Sequence, residues 1–361
     1  MRAVHHFVPV VHRGDAVGRH TLRLRDACRH RGLSSHVFVD VTDPRTRDET
    51  MPVTDYAAHA RPDDILVYQF ATASYMASWL ISRRETLVVN YHNITPPELI
   101  EPWDRYVALG QRCAQDELRT MAGRSALAVA DSAYNERHLV EAGFAVTAVV
   151  PPSAALSADI IGAAVRTREP LAGRGARWLS VGRLAPNKAV EDTIAALAVA
   201  RAHDDPGATL LILGRPAGAS YDAALRHYVA DLGLAAAVTF GGFATDAAVA
   251  AAYARADVLV VTSEHEGFCV PVVEAMAVGL PVVAYDEGAL PEVLGGSGVI
   301  VDSKDPYLLS SVITSLVRDG RRQAQLADAA AGRLDELALG TAAARFVDLL
   351  GALPTAEGVR S

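Results

Sequence analysis

Short apolar runs alternate with helix-forming stretches along nearly the whole chain, and this rhythm restricts the fold more than any other feature. In the first half the runs fall at 3–11, 35–39, 65–69, 86–91, 126–130 and 146–150, with helical stretches at 18–31, 73–84, 103–121 and 133–142. The second half repeats the pattern. Its runs fall at 178–181, 209–213, 238–240, 258–262, 281–284 and 299–301, with helices at 190–202, 221–232, 246–254 and 271–278. Strands that are apolar on both faces belong to parallel sheets covered on both sides. Strict alternation therefore predicts an α/β chain with two doubly wound, Rossmann-like sheets. Pro151-Pro152 closes the first set, and the alanine-rich, weakly patterned stretch 153–175 reads as the passage between domains. The expected division is 1–152 and 153–340, followed by a helix near 341–350 with no strand after it.

The bulk numbers agree. A chain of 361 residues is long for one core and comfortable for two. No apolar run approaches the roughly 18 to 20 residues that span a bilayer. Residues 1–12, interrupted by His5, His6 and Pro9, make no signal peptide. Three cysteines, Cys28, Cys113 and Cys269, are odd in number and far apart, which fits a reducing cytoplasm and no disulfide framework. A net charge of −8 argues against a nucleic-acid partner. Arg19, Arg23, Arg25, Arg29 and Arg31 share one expected helix. They read either as a solvated face or as a contact for anionic lipid or a phosphorylated acceptor, the second placing the protein at the inner membrane face. Lysine occurs only at Lys188 and Lys304.

The run Glu266-Gly267-Phe268-Cys269-Val270-Pro271 to Glu274 places two carboxylates across a loop and the helix that follows. Pro271 suits the first turn of a helix and Gly279 its end. The backbone N–H groups of Gly267, Phe268, Cys269 and Val270 then gather at a helix N-terminus, a seat for phosphate. Glu274 lies one turn in, facing that seat, and Glu266 lies on the loop before it. Hydroxyl acceptors beside a phosphate seat suit a ligand carrying both groups, as a nucleotide sugar does.

A second run, Gly182-Arg183-Leu184-Ala185-Pro186-Asn187-Lys188, also follows a strand and precedes a helix. Gly182 allows a sharp turn, after which Arg183 and Lys188 can converge on a diphosphate and stabilise charge building on it as a leaving group. Gly214 with Arg215, and Gly241-Gly242-Phe243, occupy further strand ends, where ligands of open parallel sheets collect. They read equally as ordinary turn residues.

The first run, with Gly288-Ala289-Leu290-Pro291-Glu292 behind it, resembles the E-x7-E signature of retaining GT-B glycosyltransferases, family 4 (glycosyl transferases group 1). The second resembles the G-R-x-x-x-x-K motif of the same family, and nearly the whole chain fits. The resemblance implies two domains facing a central cleft, with the tail at about 341–361 crossing back onto the first. It implies transfer of a sugar from a nucleoside-diphosphate sugar, a UDP- or GDP-hexose, to a hydroxyl acceptor. That acceptor is a small natural product or a cell-envelope glycan or lipid precursor. No metal and no cofactor beyond the nucleotide sugar are implied. Arg183 and Lys188 would bear the charge of the leaving diphosphate, Glu266 would orient sugar hydroxyls, and Glu274 would take the ribose. Gly182, Gly267, Phe268, Cys269 and Val270 would line the donor, with Gly214, Arg215 and Phe243 around its base. His92, in Tyr91-His92-Asn93, resembles the family's cleft histidine, with Asn93 beside it on the acceptor side.

Two departures stand out. The paired glycines of the family's N-terminal loop fall here on Asp15 and Ala16. Either Gly14 and Gly18 approach the diphosphate instead, or Asp15 turns toward the acceptor. Cys269 stands where relatives usually have glycine, so its side chain must fit beside the sugar. His5, His6, His12 and His20 match no metal-ligand spacing. No Gly-x-Gly-x-x-Gly turn, phosphate-loop Gly-Lys-Ser/Thr or Gly-x-Ser-x-Gly elbow occurs, which sets aside a dehydrogenase, a phosphate-loop nucleotidase and a serine hydrolase. A retaining phosphorylase, a sugar-nucleotide epimerase and a non-catalytic sugar-nucleotide-binding subunit remain as alternatives on the same fold.

Overall fold

The structure, a computed structural model, describes residues 2–12, 14–168 and 175–354. Its contacts divide it into two units: Met1–Pro97 with Tyr106–Ala154 and Ala338–Ser361, and Glu98–Arg105 with Ala155–Leu337. In chain order the first elements are β1 (Val4–Val10), α1 (Ala16–His30), β2 (Val37–Val41), β3 (Met51–Pro52), β4 (Ile65–Phe70), α2 (Tyr75–Ile81) and β5 (Thr86–Tyr91). Then come α3 (Pro97–Ile100), α4 (Arg105–Ala122), β6 (Leu127–Ala130), α5 (Ala133–Glu141) and β7 (Thr147–Val149). The first unit's strands form a seven-stranded parallel sheet in the order β3-β2-β1-β4-β5-β6-β7. Its central strand β4 is buried at every position, which is why it reads as a nearly continuous apolar run, broken only by Gln69, rather than an alternating one. Ser74 and Ser132 cap α2 and α5 by accepting from the N–H groups of Met76 and Asn135.

The second unit contains α6 (Ala158–Arg166), β8 (Arg177–Val181), α7 (Val190–His203), β9 (Thr209–Leu213), α8 (Ala219–Asp231), β10 (Val238–Gly242) and α9 (Asp246–Arg255). It continues with β11 (Val258–Val261), α10 (Val270–Val278), β12 (Val282–Tyr285), α11 (Leu290–Leu294), β13 (Val299–Val301), α12 (Pro306–Arg318) and α13 (Gly320–Leu337). Its six strands are parallel, in the order β10-β9-β8-β11-β12-β13. The last helix, α14 (Ala342–Gly351), packs in the first unit, where Phe346, Val347 and Leu350 join the core of Val4, Leu24 and Val129. Both units have the GT-B kind of α/β architecture.

In each sheet the chain reverses its direction of travel once, between β1 and β4 and between β8 and β11. At such a switch point the loops leaving two neighbouring strands run to opposite faces and leave a crevice.

Several expectations need correction. The stretch 153–175 is no bare passage, because Ala158–Arg166 is a helix packed against α9 and α10. Alanine favours helix even where apolar patterning is weak. Residues 98–105 belong to the second unit, where Trp103 meets Tyr221 edge-on at 4.9 Å between ring centroids and accepts from Ser220 Oγ. Nor is α1 a free cationic face. Arg23 donates to Ser153 O, Arg25 pairs with Asp26 and Glu49, Arg29 donates to Ser35 O and Arg31 pairs with Asp348. Among the described residues no helix is long and apolar enough to cross a membrane.

Candidate active site

The second sheet's switch point brings together the two sequence motifs. After β8 the chain turns at Gly182, runs out through Arg183 and returns in a short 3-10 turn, Pro186–Lys188, before α7. After β11 it passes Thr262 and Ser263 to Glu266 and enters α10. The two loops are fastened together. Thr262 Oγ1 donates to Ala189 O at 2.8 Å, Asn187 Nδ2 to His265 O at 3.1 Å, and Glu264 N to Asn187 O at 2.8 Å.

That fastening sets Lys188 Nζ 2.5 Å from Glu266 Oε1, and Ser263 Oγ donates to the same oxygen at 2.8 Å. The side chains are 24% and 7% exposed. Burial works to lower the Lys188 pKa, but the charge and hydrogen bond of Glu266 outweigh it and hold the ammonium above its ordinary range. A pocket opens over this pair, lined also by Gly182, Arg183, Leu184, Thr262 and Ser263, with Ile212 and Val260 forming its apolar lining. Arg183 is exposed at its edge.

Two glycines permit the packing. A Cβ on Gly214, at φ +156°, would stand 1.6 Å from Gly182 O, so the ends of β8 and β9 could not approach. A Cβ on Gly288, at φ +63°, would stand 2.5 Å from Glu266 O, the backbone carbonyl that accepts from Ala289 N. Cys269 caps α10 in the left-handed region, φ +70°, without the freedom of glycine. Such a residue costs about 1–2 kcal/mol locally. Its buried thiol bonds to Glu266, and burial first, then that charge, push it well above the ordinary thiol range. Phe268 and Val270 beside it are buried, while α10 has no side-chain cap. Arg215 lies over the half-exposed Phe243 ring, 4.4 Å from its centroid, making a flat edge at the ends of β9 and β10.

Not every expected contact is available. Glu274 is 3% exposed, and both its oxygens accept from protein: Oε1 from Leu156 N at 3.0 Å and Oε2 from Tyr253 OH at 2.9 Å. It is therefore not the open carboxylate that its place in the helix suggests. Asp15 caps α1, its Oδ1 accepting from Gly18 N at 2.6 Å. That bond uses the amide that Gly18 was expected to offer a diphosphate, and engages the oxygen that Asp15 was expected to turn toward an acceptor. His92, at the end of β5 in the first unit, has a side chain 3% exposed. Its Nδ1 lies 2.9 Å from Asp131 Oδ2 and its Nε2 2.8 Å from the Gln69 amide, so neither ring nitrogen is free. Asn93 follows it in the left-handed region at φ +81°, also buried. Among the described residues no group of three or more His, Cys, Asp and Glu could hold a metal ion.

The sequence reading missed Asn187, Ser263 and Tyr253 in the second unit and Gln69 and Asp131 in the first. Ser263, three residues before Glu266 at a strand end, could have been found; nothing in the sequence marks Tyr253.

Residues 165–333, the stretch carrying both motifs, match the family model described as Glycosyl transferases group 1. In that stretch the chain is similar to the group 1 glycosyl transferases. A D-inositol 3-phosphate glycosyltransferase of Stackebrandtia nassauensis is 35% identical over 178 residues, 47% of this chain and 40% of that protein. An MMP alpha-(1->4)-mannosyltransferase of Mycolicibacterium hassiacum is 34% identical over 146 residues, 40% of this chain and 34% of that protein. The match thus spans about two fifths of the first of these relatives and a third of the second. Among solved structures, Anabaena HepE in complex with UDP and glucose superposes with a TM-score of 0.73 at 20% identity, covering 98% of this chain and 100% of that one. This last likeness shows the fold alone.

Proposed function

We propose that this chain is a group 1 glycosyl transferase that moves a hexosyl group, with retention, from a UDP- or GDP-sugar to a hydroxyl of a small polyol or glycan acceptor, without a metal ion. The observation that carries the reading is the Lys188–Glu266 pair at the second sheet's switch point, with Arg183 at the pocket edge. The pair and Arg183 together leave one net positive charge. An ammonium has three protons, so Lys188 can keep its bond to Glu266 and still donate to a phosphate oxygen. Charge accumulating on a departing diphosphate would then meet fixed donors in a partly desolvated site, where they act most strongly. Glu266, held by Lys188, Ser263 and Cys269, is placed to orient a sugar hydroxyl. The exposed Arg215–Phe243 edge suits a stacked base.

The likeness to the D-inositol 3-phosphate glycosyltransferase supports a phosphorylated polyol as one acceptor class, and HepE with UDP and glucose supports a uridine donor. The test is a thermal-shift panel of UDP, GDP and their hexoses, followed by product analysis with inositol phosphates and simple glycans. A ligand at 100 times its dissociation constant stabilises the fold by about 2.7 kcal/mol. An α-linked product from an α-linked donor supports the reading, whereas inversion or no nucleotide binding refutes it.

A further inference from the structure

The switch point of the first sheet holds a buried chain of polar side chains that the donor site does not use. His6 on β1, Gln69 on β4 and Asn90 on β5 are each at most 1% exposed, as is His20 on α1. His92 and Asp131 continue the chain from the ends of β5 and β6.

Its proton positions follow from one fixed donor. Ser153 N donates to His20 Nδ1 at 2.8 Å, so that nitrogen carries no proton and the ring's single proton is on Nε2. Nε2 lies 2.9 Å from the Asn90 amide, which must therefore present its oxygen. The same Asn90 atom lies 2.9 Å from the Gln69 amide, which must present its NH2. That NH2 has a second proton, directed at His92 Nε2 at 2.8 Å. The Gln69 oxygen is left facing His6 Nδ1 at 3.2 Å, which donates to it. His92 Nε2 is then an acceptor, and its proton sits on Nδ1, donated to Asp131 Oδ2 at 2.9 Å. Each of these bonds then has one donor and one acceptor, while the other end of the Asn90 amide is buried without a partner among the described residues.

We propose that Asp131 and Gln69 are positioning residues for His92, holding its ring neutral, in one orientation, with the proton on Nδ1. Asn90 and His20 pass the constraint along from the backbone at Ser153. The proposal rests on the reading above that this chain transfers a sugar, and on His92 belonging to its acceptor side. Among the described residues the other Asp131 oxygen, Oδ1, is buried without a hydrogen-bond partner.

The test uses the full chain with isotope-labelled histidine, the His92 signal being assigned by its loss in His92→Gln. The neutral Nδ1–H tautomer is expected for His92 at pH 7 and the Nε2–H tautomer for His20. Gln69→Glu reverses the polarity of that link and should raise the His92 pKa by more than about one unit, since a new charge sits within hydrogen-bond reach. Asp131→Ala, which frees the ring, should lose about tenfold or more in turnover. The loss should appear in kcat rather than in nucleotide affinity. A His92 that is doubly protonated or Nε2–H in the parent overturns the proposal, as does Asp131→Ala with unchanged kcat in a folded protein. Should the parent transfer no sugar, the reading of the reaction fails, and the tautomer measurement still decides the lock.

Discussion

Replacing Lys188 should damage stability and turnover by separable routes. Among the described residues its ammonium is the only cation bonded to Glu266, whose side chain is 7% exposed. Lys188→Ala leaves that carboxylate with Ser263 and Cys269 as neutral donors. Removing one partner of a buried ion pair typically costs about 3–5 kcal/mol. Lys188 is itself a quarter exposed, which admits water and places the expected loss at the lower end, about 3 kcal/mol. Loss of one charge-stabilising donor also costs about a hundredfold to a thousandfold in kcat. The double variant Lys188→Ala with Glu266→Gln removes the stranded charge, so it should regain most of the stability and none of the turnover. Urea denaturation at pH 7 gives the first quantity and steady-state transfer with a UDP- or GDP-hexose the second. Turnover of Lys188→Ala within threefold of the parent would remove the residue from the mechanism. A double variant no more stable than Lys188→Ala would show that Glu266 is not the group left stranded.

Arg183→Ala, at an exposed position, should leave the melting temperature within a degree or two while turnover falls about a hundredfold, as read by parallel melting and transfer assays. Glu274→Gln turns one acceptor toward a donor, Leu156 N or Tyr253 OH, and should cost about 1–3 kcal/mol in stability; calorimetry with the bare nucleoside diphosphate then tests its ribose role, which an unchanged affinity would end. Acid should unfold the first unit early. His5 and His6, buried neutral, have pKa values lowered by burial to about 4 and about 3. Their folded values lie below the unfolded one, so their stabilising effect is complete above about pH 6.5 and declines as pH falls toward 4, by about 1.4 kcal/mol per unit for each. A denaturation midpoint unchanged between pH 7 and pH 5 would contradict this. Chelator should leave transfer intact, since Arg183 and Lys188 supply the positive charge; loss of turnover restored by magnesium or manganese would reverse that reading.

The rhythm of strands and helices was legible because burial on both faces leaves a plain mark in composition: β4 is buried at all its positions and is apolar at all but Gln69. Helices whose burial is one-sided and whose residues are small were harder, as Ala158–Arg166 illustrates. Asp305-Pro306, which caps α12 through Tyr307 N and Leu308 N, carried a start signal that an alternation-based reading passes over.

The donor site was legible for a different reason. Its charged residues lie on loops that must follow β8 and β11, and strand order at a switch point decides that those loops meet. Lys188 and Glu266 are 78 positions apart, so no local pattern connects them. What connects them is the parallel pairing of Trp178 with Val258 and Leu179 with Leu259. The polar chain from His20 to Asp131 lacked such a signal. His6, Gln69 and Asn90 interrupt strands at positions that the apolar pattern treats as tolerated exceptions, and only the adjacency of β1, β4 and β5 turns three exceptions into one network. A buried polar residue in a parallel strand is costly unless it is bonded. Three of them, on consecutive strands of one sheet and close to a switch point, are therefore better read together, as the parts of one site, than singly.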